Sequence, residues 1–354
     1  MADSQTICVR EADLKAFCVA VLQRLGVTAD EAALVSDALV EADLRGVDSH
    51  GVIRMPMYVD RLANGGTNPK PVIRPVRETR TTAVLDGDNG LGHLVGVRAM
   101  ELAMAKAADG DCAFVAVRNS NHYGTAAYYA EMAARREMIG LSFTISGLLL
   151  MAPWGGTEAM LGNNPVAMAF PTDREFPIVL DMACTVARGK ILVAQKKGEA
   201  IPADWATGRD GLPTTDPTEA LKGLFLPVGG PKGYALALAI GLLSSMLSGA
   251  HFGSEIGQLY TQYDRAPNIG HMFGVLPISS FEDVAHYKQR IGKAIEDLQS
   301  VRKAPGVERI YLPGEREYLL LQERRRQGIP LSAGVFQDLR SIGERYRVGL
   351  PPVV

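Results

Sequence analysis

Cysteine is scarce in this 354-residue chain: Cys8, Cys18, Cys112 and Cys184 lie scattered, mostly among apolar neighbours. They show neither paired zinc-ligand spacing nor a disulfide framework, so they read as buried thiols of a reducing, cytoplasmic compartment. An excess of charge is missing too. Lys and Arg number 37 against 39 Asp and Glu, a formal net charge of -2, which removes the electrostatic case for nucleic acid or an anionic membrane and favours a small-molecule partner. No apolar run reaches bilayer length: Tyr234 to Leu247 spans about 14 residues against the roughly 20 of a membrane helix, and reads as a buried helix. Met1 to Phe17 is too polar for a secretory signal. The sequence shows no internal repeat and no low-complexity tract.

At this length two or three structural units are the natural division. Apolar residues recur at helical steps from Glu11 to Leu25, closed by Gly26. Thr28 and Glu31 have capping-box spacing ahead of a second helix with the stripe Ala33, Leu34, Ala38, Leu39 and Ala42, ending near Gly46. A third helical stretch covers Ile53 to Leu62. The pattern changes around Pro69–Pro75. From Thr81 onward, strands at Thr82–Leu85, Ala113–Val117, Ile139–Ile145, Pro165–Phe170 and Ile178–Leu180 alternate with helices at Val95–Ala108, Thr125–Arg136 and Val186–Lys197. That rhythm indicates an α/β sheet domain. Pro202–Pro217 reads as a surface loop or a lid. The Tyr234–Leu247 helix, a strand near Met272–Pro277 and mostly helix complete the chain. Helical ends around an α/β middle predict one discontinuous helical domain, residues 1–75 and 276–354, beside a central domain of residues 76–275. The active cleft is expected at their junction.

Chemistry concentrates in short polar turns. Asp48-Ser49-His50-Gly51 wedges an imidazole between hydroxyl, carboxylate and glycine at a helix end, and imidazole is the side chain whose ordinary pKa lies near neutrality. Asn119-Ser120-Asn121-His122-Tyr123-Gly124 repeats the theme, and the two together point to proton transfer. Arg54, one helical turn beyond His50, either grips a substrate carboxylate through a two-pronged salt link or serves its helix. Asp181 sits at the end of an apolar strand, where a carboxylate either orients an imidazole or caps the helix through Arg188. Gly229-Gly230-Pro231-Lys232-Gly233-Tyr234 places free amides and an ammonium ahead of a long apolar helix, suited to a pyrophosphate or carboxylate, or to capping alone. Pro313-Gly314-Glu315 opens a further helix, Arg316–Gln327. Gly90-Leu91-Gly92-His93-Leu94-Val95-Gly96 has GxGxxxG spacing with no acidic residue ending the next strand. It reads as a tight turn with close helix packing rather than a dinucleotide fingerprint, and His93 as a local turn residue. His251, His271 and His286 read as structural or solvated, and Arg324-Arg325-Arg326 as a solvated, salt-bridged face. A metal centre of His50, His122 and Asp181 would draw ligands remote in sequence; it leaves a metal-dependent hydrolase as a distant alternative, and no metal is expected.

Taken in order, Asp48-Ser49-His50-Gly51, Asn119-x-x-His122-x-Gly124, Pro153-Trp154-Gly155-Gly156, Gly162-x-Asn164-Pro165, Leu180-Asp181-Met182-Ala183, Lys232-Gly233-Tyr234 and Leu312-Pro313-Gly314-Glu315 resemble the type-2 malate/L-lactate dehydrogenase family, over about Glu11 to Gln337. The resemblance implies an α/β fold whose cofactor domain is a mostly antiparallel, seven-stranded, non-Rossmann sheet flanked by helices, and a homodimer. It implies hydride transfer between NAD or NADP and a small carboxylated substrate, a 2-oxo or 2-hydroxy acid of the malate, lactate or sulfolactate type. Reduction of cyclic imino acids such as Δ1-piperideine-2-carboxylate is the alternative. By motif, His50 resembles the proton donor and His122 the second imidazole, with Asp181 in support and Ser49 and Arg54 at the substrate. Ser146, Pro177, Ile178, Val179, Leu180, Asp181, Met182, Ala183, Pro231, Lys232, Pro313, Gly314 and Glu315 match cofactor-contacting positions.

Overall fold

Alternating apolar segments in the middle of the chain assemble into one sheet, and the helical ends fold back on each other. The computed structural model describes residues 6–186 and 188–354; Met1–Gln5, and Ala187 within the helix expected from Val186, lie outside the described residues. After β1 (Ile7–Val9) come α1 (Glu11–Arg24), α2 (Ala29–Leu44), 3-10 turns at Asp48–His50 and Val52–Arg54, and α3 (Met55–Ala63). β2 (Arg74–Glu78), β3 (Thr82–Asp86), α4 (Gly92–Gly110), β4 (Ala113–Ser120), α5 (Ala126–Ala134), β5 (Met138–Thr144), β6 (Val166–Phe170) and β7 (Ile178–Met182) follow. Next are α6 (Arg188–Lys197), α7 (Pro217–Ala220) and α8 (Pro231–Gly241), which runs into a π turn at Leu242–Met246, and β8 (Ile269–Pro277). The chain closes with α9 (Val284–Ser300), α10 (Glu315–Gln327), β9 (Ile329–Leu331) and α11 (Ala333–Tyr346).

The seven-stranded sheet has the order β2-β3-β4-β8-β5-β6-β7 and is antiparallel except between β3 and β4, which are joined by the α4 crossover. β8 lies at its centre, pairing with β4 (Val115↔Phe273) and with β5 (Gly140↔Val275). Alternate residues of β6 divide the cover: Ala167 and Ala169 join the core under α4 and α5, whereas Val166 and Met168 pack toward α8. Small residues set the spacing, since a Cβ on Gly140 would meet the Ala130 carbonyl of α5 at 2.2 Å. At the chain ends β1 pairs antiparallel with β9 (Ile7↔Leu331), and Leu14, Leu39, Met55, Leu321 and Leu339 share one apolar core. Ile191, Ile201, Ala206, Ala220 and Phe225 form a separate small core. No helix among the described residues is long and apolar enough to cross a membrane.

Local details depart from the sequence expectation where neighbours intervene. Thr28 donates its hydroxyl to the Glu31 carboxylate at 2.8 Å instead of accepting a helix amide, so α2 has no side-chain cap. α4 begins at Gly92 and takes in His93, which is fully buried rather than in a turn. Gly92 permits this, because a Cβ there would lie 2.3 Å from the Asn121 carbonyl. Arg324 is drawn out of the solvated face expected for the arginine run, its side chain only 13% exposed, by acceptors on α2 and the turn after it.

Candidate active site

α2 delivers the chain to the His50 turn, and one carboxylate and one guanidinium fix its shape. Asp43, in the last turn of α2, is buried and accepts the Val52 amide at 2.8 Å. Its carboxyl is pushed up to about 8, first by burial. Gly51 makes room for that carboxyl, because a Cβ there would lie 1.8 Å from Asp43 Oδ1. Arg54 Nε donates to the Ser49 carbonyl at 2.6 Å, and the guanidinium also donates to the Tyr260 hydroxyl while stacking over its ring. Ser49 Oγ lies 2.9 Å from His50 Nδ1.

The second imidazole arrives from the sheet. His122 follows β4, and Asn121 beside it donates to Asn89 Oδ1 at 2.9 Å and to the Gly90 carbonyl at 2.9 Å, which anchors the turn to the start of α4. His50 and His122 stack with ring centroids 5.6 Å apart and planes 19° from parallel. Tyr58, two helical turns beyond His50, places its hydroxyl 2.6 Å from His122 Nδ1. His93 packs edge-on to Tyr58, and neither of its ring nitrogens has a hydrogen-bond partner. Burial, with the Arg54 charge second, lowers His50 to about 4. Burial likewise holds His122 well below the usual imidazole range and Tyr58 well above that of a phenol.

Two hollows meet at His50. A cavity of about 350 Å³ is lined by Ser49, His50, Arg54, His122, Ser146 and Arg188, together with Thr144 and Tyr260, and by no carboxylate. A groove of about 560 Å³ runs past Val179–Ala183 and Tyr311–Gly314, with Arg45, Arg316, Asp181 and Glu317 on its walls. Asp181 Oδ2 accepts the Ala127 amide at the start of α5 at 2.9 Å. Desolvation first, and the nearby Glu131 and Glu317 charges, push its carboxyl up to about 6. Asp181 faces the groove that His50 also lines, but its described hydrogen bond goes to α5 rather than to an imidazole.

The other sequence candidates fall in different places. Leu180, Met182 and Ala183 line the groove, Ile178 is half-buried in β7, and Pro177 borders a third, charged hollow with Val179 and Gly314. Val179 donates its amide to the Pro313 carbonyl at 2.9 Å, tying β7 to the turn before α10. Glu315 turns inward: its buried carboxylate accepts the Leu312 amide at 2.9 Å and pairs with Arg309, which holds that turn in shape. Pro231 and Lys232 open α8 at the surface and line neither hollow. Tyr58, Thr144 and Tyr260 enter the centre without having been singled out; the four-residue step from Arg54 to Tyr58 was the available signal for the first. Among the described residues no group of three or more His, Cys, Asp or Glu side chains is placed to hold a metal ion.

Two stacked imidazoles thus stand beside a guanidinium in a cavity that shares His50 with the larger groove. A family profile described as Malate/L-lactate dehydrogenase matches residues 9–340, and the chain belongs to that family. It is 43% identical to a malate dehydrogenase of Pyrococcus horikoshii over 355 residues, covering 98% of this chain and 97% of the relative. The structure of sulfolactate dehydrogenase from Methanocaldococcus jannaschii superposes with a TM-score of 0.92 at 39% identity, over 97% of this chain and 98% of that one. A ureidoglycolate dehydrogenase (NAD(+)) of Escherichia coli K12 is 34% identical over 321 residues, 90% of this chain and 91% of the relative.

Proposed function

We propose that this protein transfers hydride between NAD or NADP and a small 2-oxo or 2-hydroxy acid that carries a second anionic group, of the malate or sulfolactate type, with His50 as the proton donor in reduction. The composition of the smaller cavity carries this reading: two imidazoles, Arg54 and Arg188, with no carboxylate among the lining residues. Two guanidinium groups without an acidic partner favour a dianion, with Arg54 at the carboxylate beside the reacting carbon and Arg188 at the distal charge. The larger groove suits a dinucleotide, being about 560 Å³ in volume, apolar along Val179, Met182 and Pro313, and provided with Asp181 and Glu317 as hydroxyl acceptors. A dinucleotide bound there supplies or removes the hydride; the protein aligns the substrate and handles the proton.

Ser49 engages His50 Nδ1, which leaves Nε2 for the substrate oxygen. A neutral His50 accepts the proton from the hydroxyl of a 2-hydroxy acid. In the opposite direction a bound dianion favours the imidazolium that returns it. The Gly124 amide donates to His122 Nδ1 at 3.4 Å, which marks that nitrogen as an acceptor; Tyr58, kept protonated by burial, then donates to it as well, and the His122 proton is assigned to Nε2. Asp181, which lines the groove beside His50 and is tied to the start of α5, is assigned to the cofactor side of the site. We read residues 1–75 and 276–354 as one discontinuous helical domain beside a non-Rossmann sheet domain of residues 76–275, a division supported by the β1–β9 pairing. A homodimer is supported by the bare apolar face of α8 and its π turn, where Leu236, Leu242, Leu243, Met246 and Leu247 are 40% to 60% exposed. Four unpaired cysteines fit a reducing, cytoplasmic compartment.

Oxidation of NADH and NADPH, followed with oxaloacetate, sulfopyruvate, pyruvate and Δ1-piperideine-2-carboxylate, tests the reading. The dianionic acids are expected to exceed the other two in kcat/KM by about tenfold or more, the equivalent of one good charged contact. Preference for pyruvate or the cyclic imine, or no oxidation of either cofactor, overturns it.

A further inference from the structure

α10 reaches both parts of the site. Its N-terminal turn, Pro313-Gly314, walls the groove, and Gly314 is packed so closely on β7 that a Cβ would lie 2.9 Å from that of Val179. The helix is 13 residues long, about 20 Å at 1.5 Å per residue. From its last turn the Arg324 side chain reaches to α2 and the His50 turn. Nη1 donates to the Asp43 carbonyl and, at 2.5 Å, to Asp48 Oδ1. Between these contacts Leu320 packs against Gly46, where a Cβ would come within 2.3 Å of its side chain. The segment Asp48–Val52 is thus held at its start by Arg324, through Asp48, and at its end by Asp43, through the Val52 amide. Arg325, one residue on, pairs with Glu11 of α1 and touches neither.

We propose that Arg324 is a positioning residue for His50, acting through Asp48 and the Asp43 carbonyl, so that the helix walling the cofactor groove also sets the imidazole. A guanidinium on a last-turn carbonyl of α2 acts as a helix cap; what distinguishes Arg324 is that the same nitrogen also reaches the side chain that opens the His50 turn. Arg324 bridges the two and fixes the rotation of the turn, on which the direction of the His50 ring depends. The catalytic arm of the test rests on the oxidoreductase reading above; the exchange arm does not.

A double-mutant cycle between Arg324→Ala and His50→Ala tests the proposal, with Asp48→Asn and Arg324→Lys as further variants and Arg325→Ala as the control. Arg324→Ala is expected to lower kcat by about 10- to 100-fold, as displacement of a reacting group by about 1 Å does. Cofactor Kd, measured by fluorescence, should stay within about twofold, and in the His50→Ala background the further loss should be under about twofold. Asp48→Asn should reproduce part of the loss, and Arg324→Lys should recover part of it. Independently of turnover, amide hydrogen exchange in residues 49–54 is expected to quicken about tenfold in Arg324→Ala while α1 and β1 keep their protection. Additive losses in the cycle, or unchanged exchange in the turn, overturn the proposal. A wild-type protein that oxidises neither cofactor overturns the functional reading instead and leaves the exchange result to decide this one.

Discussion

His50 owes its ionisation to its surroundings. Burial first and the Arg54 charge second lower it from 6.5 to about 4. The folded chain therefore favours the neutral ring: the proton an unfolded chain would take up below 6.5 is refused until the pH nears 4. In its proposed role as a base toward the hydroxyl of a 2-hydroxy acid, the ring stays competent across that interval. In oxidation, kcat/KM should remain level as pH falls through 6.5 and decline by about tenfold per pH unit only near 4. Arg54→Met should move that limb up toward the ordinary value without reaching it, because the larger influence, burial, remains. Initial rates across pH check both, and a wild-type limb at 6.5 would show that the ring meets water freely. These residues were legible in the sequence because Asp48–Gly51 and Asn119–Gly124 set an imidazole among polar and glycine residues, a composition that apolar packing alone does not call for, although Tyr123 in the second also joins the sheet core. Tyr58 was not, because an aromatic residue on an amphipathic helix reads as core, and at 2% exposure it is as buried as one.

α8 shows where legibility ends for an element. Gly233, Ala237 and Ile240 are buried, while Ala235, Leu236 and Ala239 point outward, so the helix is apolar all round. A run of that kind predicts burial, but periodicity does not say whether the chain itself or a second copy provides the cover. If a second copy does, Leu243→Glu with Met246→Glu should convert a dimer to a monomer in sedimentation without loss of helical circular dichroism. A monomeric wild type, or a dimer that survives both charges, defeats the assignment. β2 escaped notice for the opposite reason: each of its residues is exposed, so it carries no apolar alternation. β1 and β9 are three residues each and exist as strands through pairing with one another across the chain. No local pattern encodes that. The strands β3 to β8, by contrast, were readable because burial writes β-branched and apolar runs into them.

For the whole molecule, the consequence of bringing both chain ends and the sheet to one place is that the two hollows share a wall. His50 from the first segment, Gly124 from the sheet and Ala183 from the end of β7 line both. On the proposed reading, a cofactor in the groove forms part of the boundary of the smaller cavity, excludes water from it and so strengthens the hold proposed for Arg54 and Arg188 on an anion. Linkage then requires each ligand to tighten the other by the same factor. Tartronate, a dianion without a reducible carbonyl, serves as the probe beside NADH. Each ligand alone at a hundredfold excess over its Kd should stabilise the fold by about 2.7 kcal/mol. Together they should raise the melting temperature by more than the sum of the separate shifts, and titration of tartronate at saturating NADH should show the matching drop in its Kd. A strictly additive shift would mean that the two ligands do not meet at His50, and would separate the groove from the chemistry assigned to the cavity.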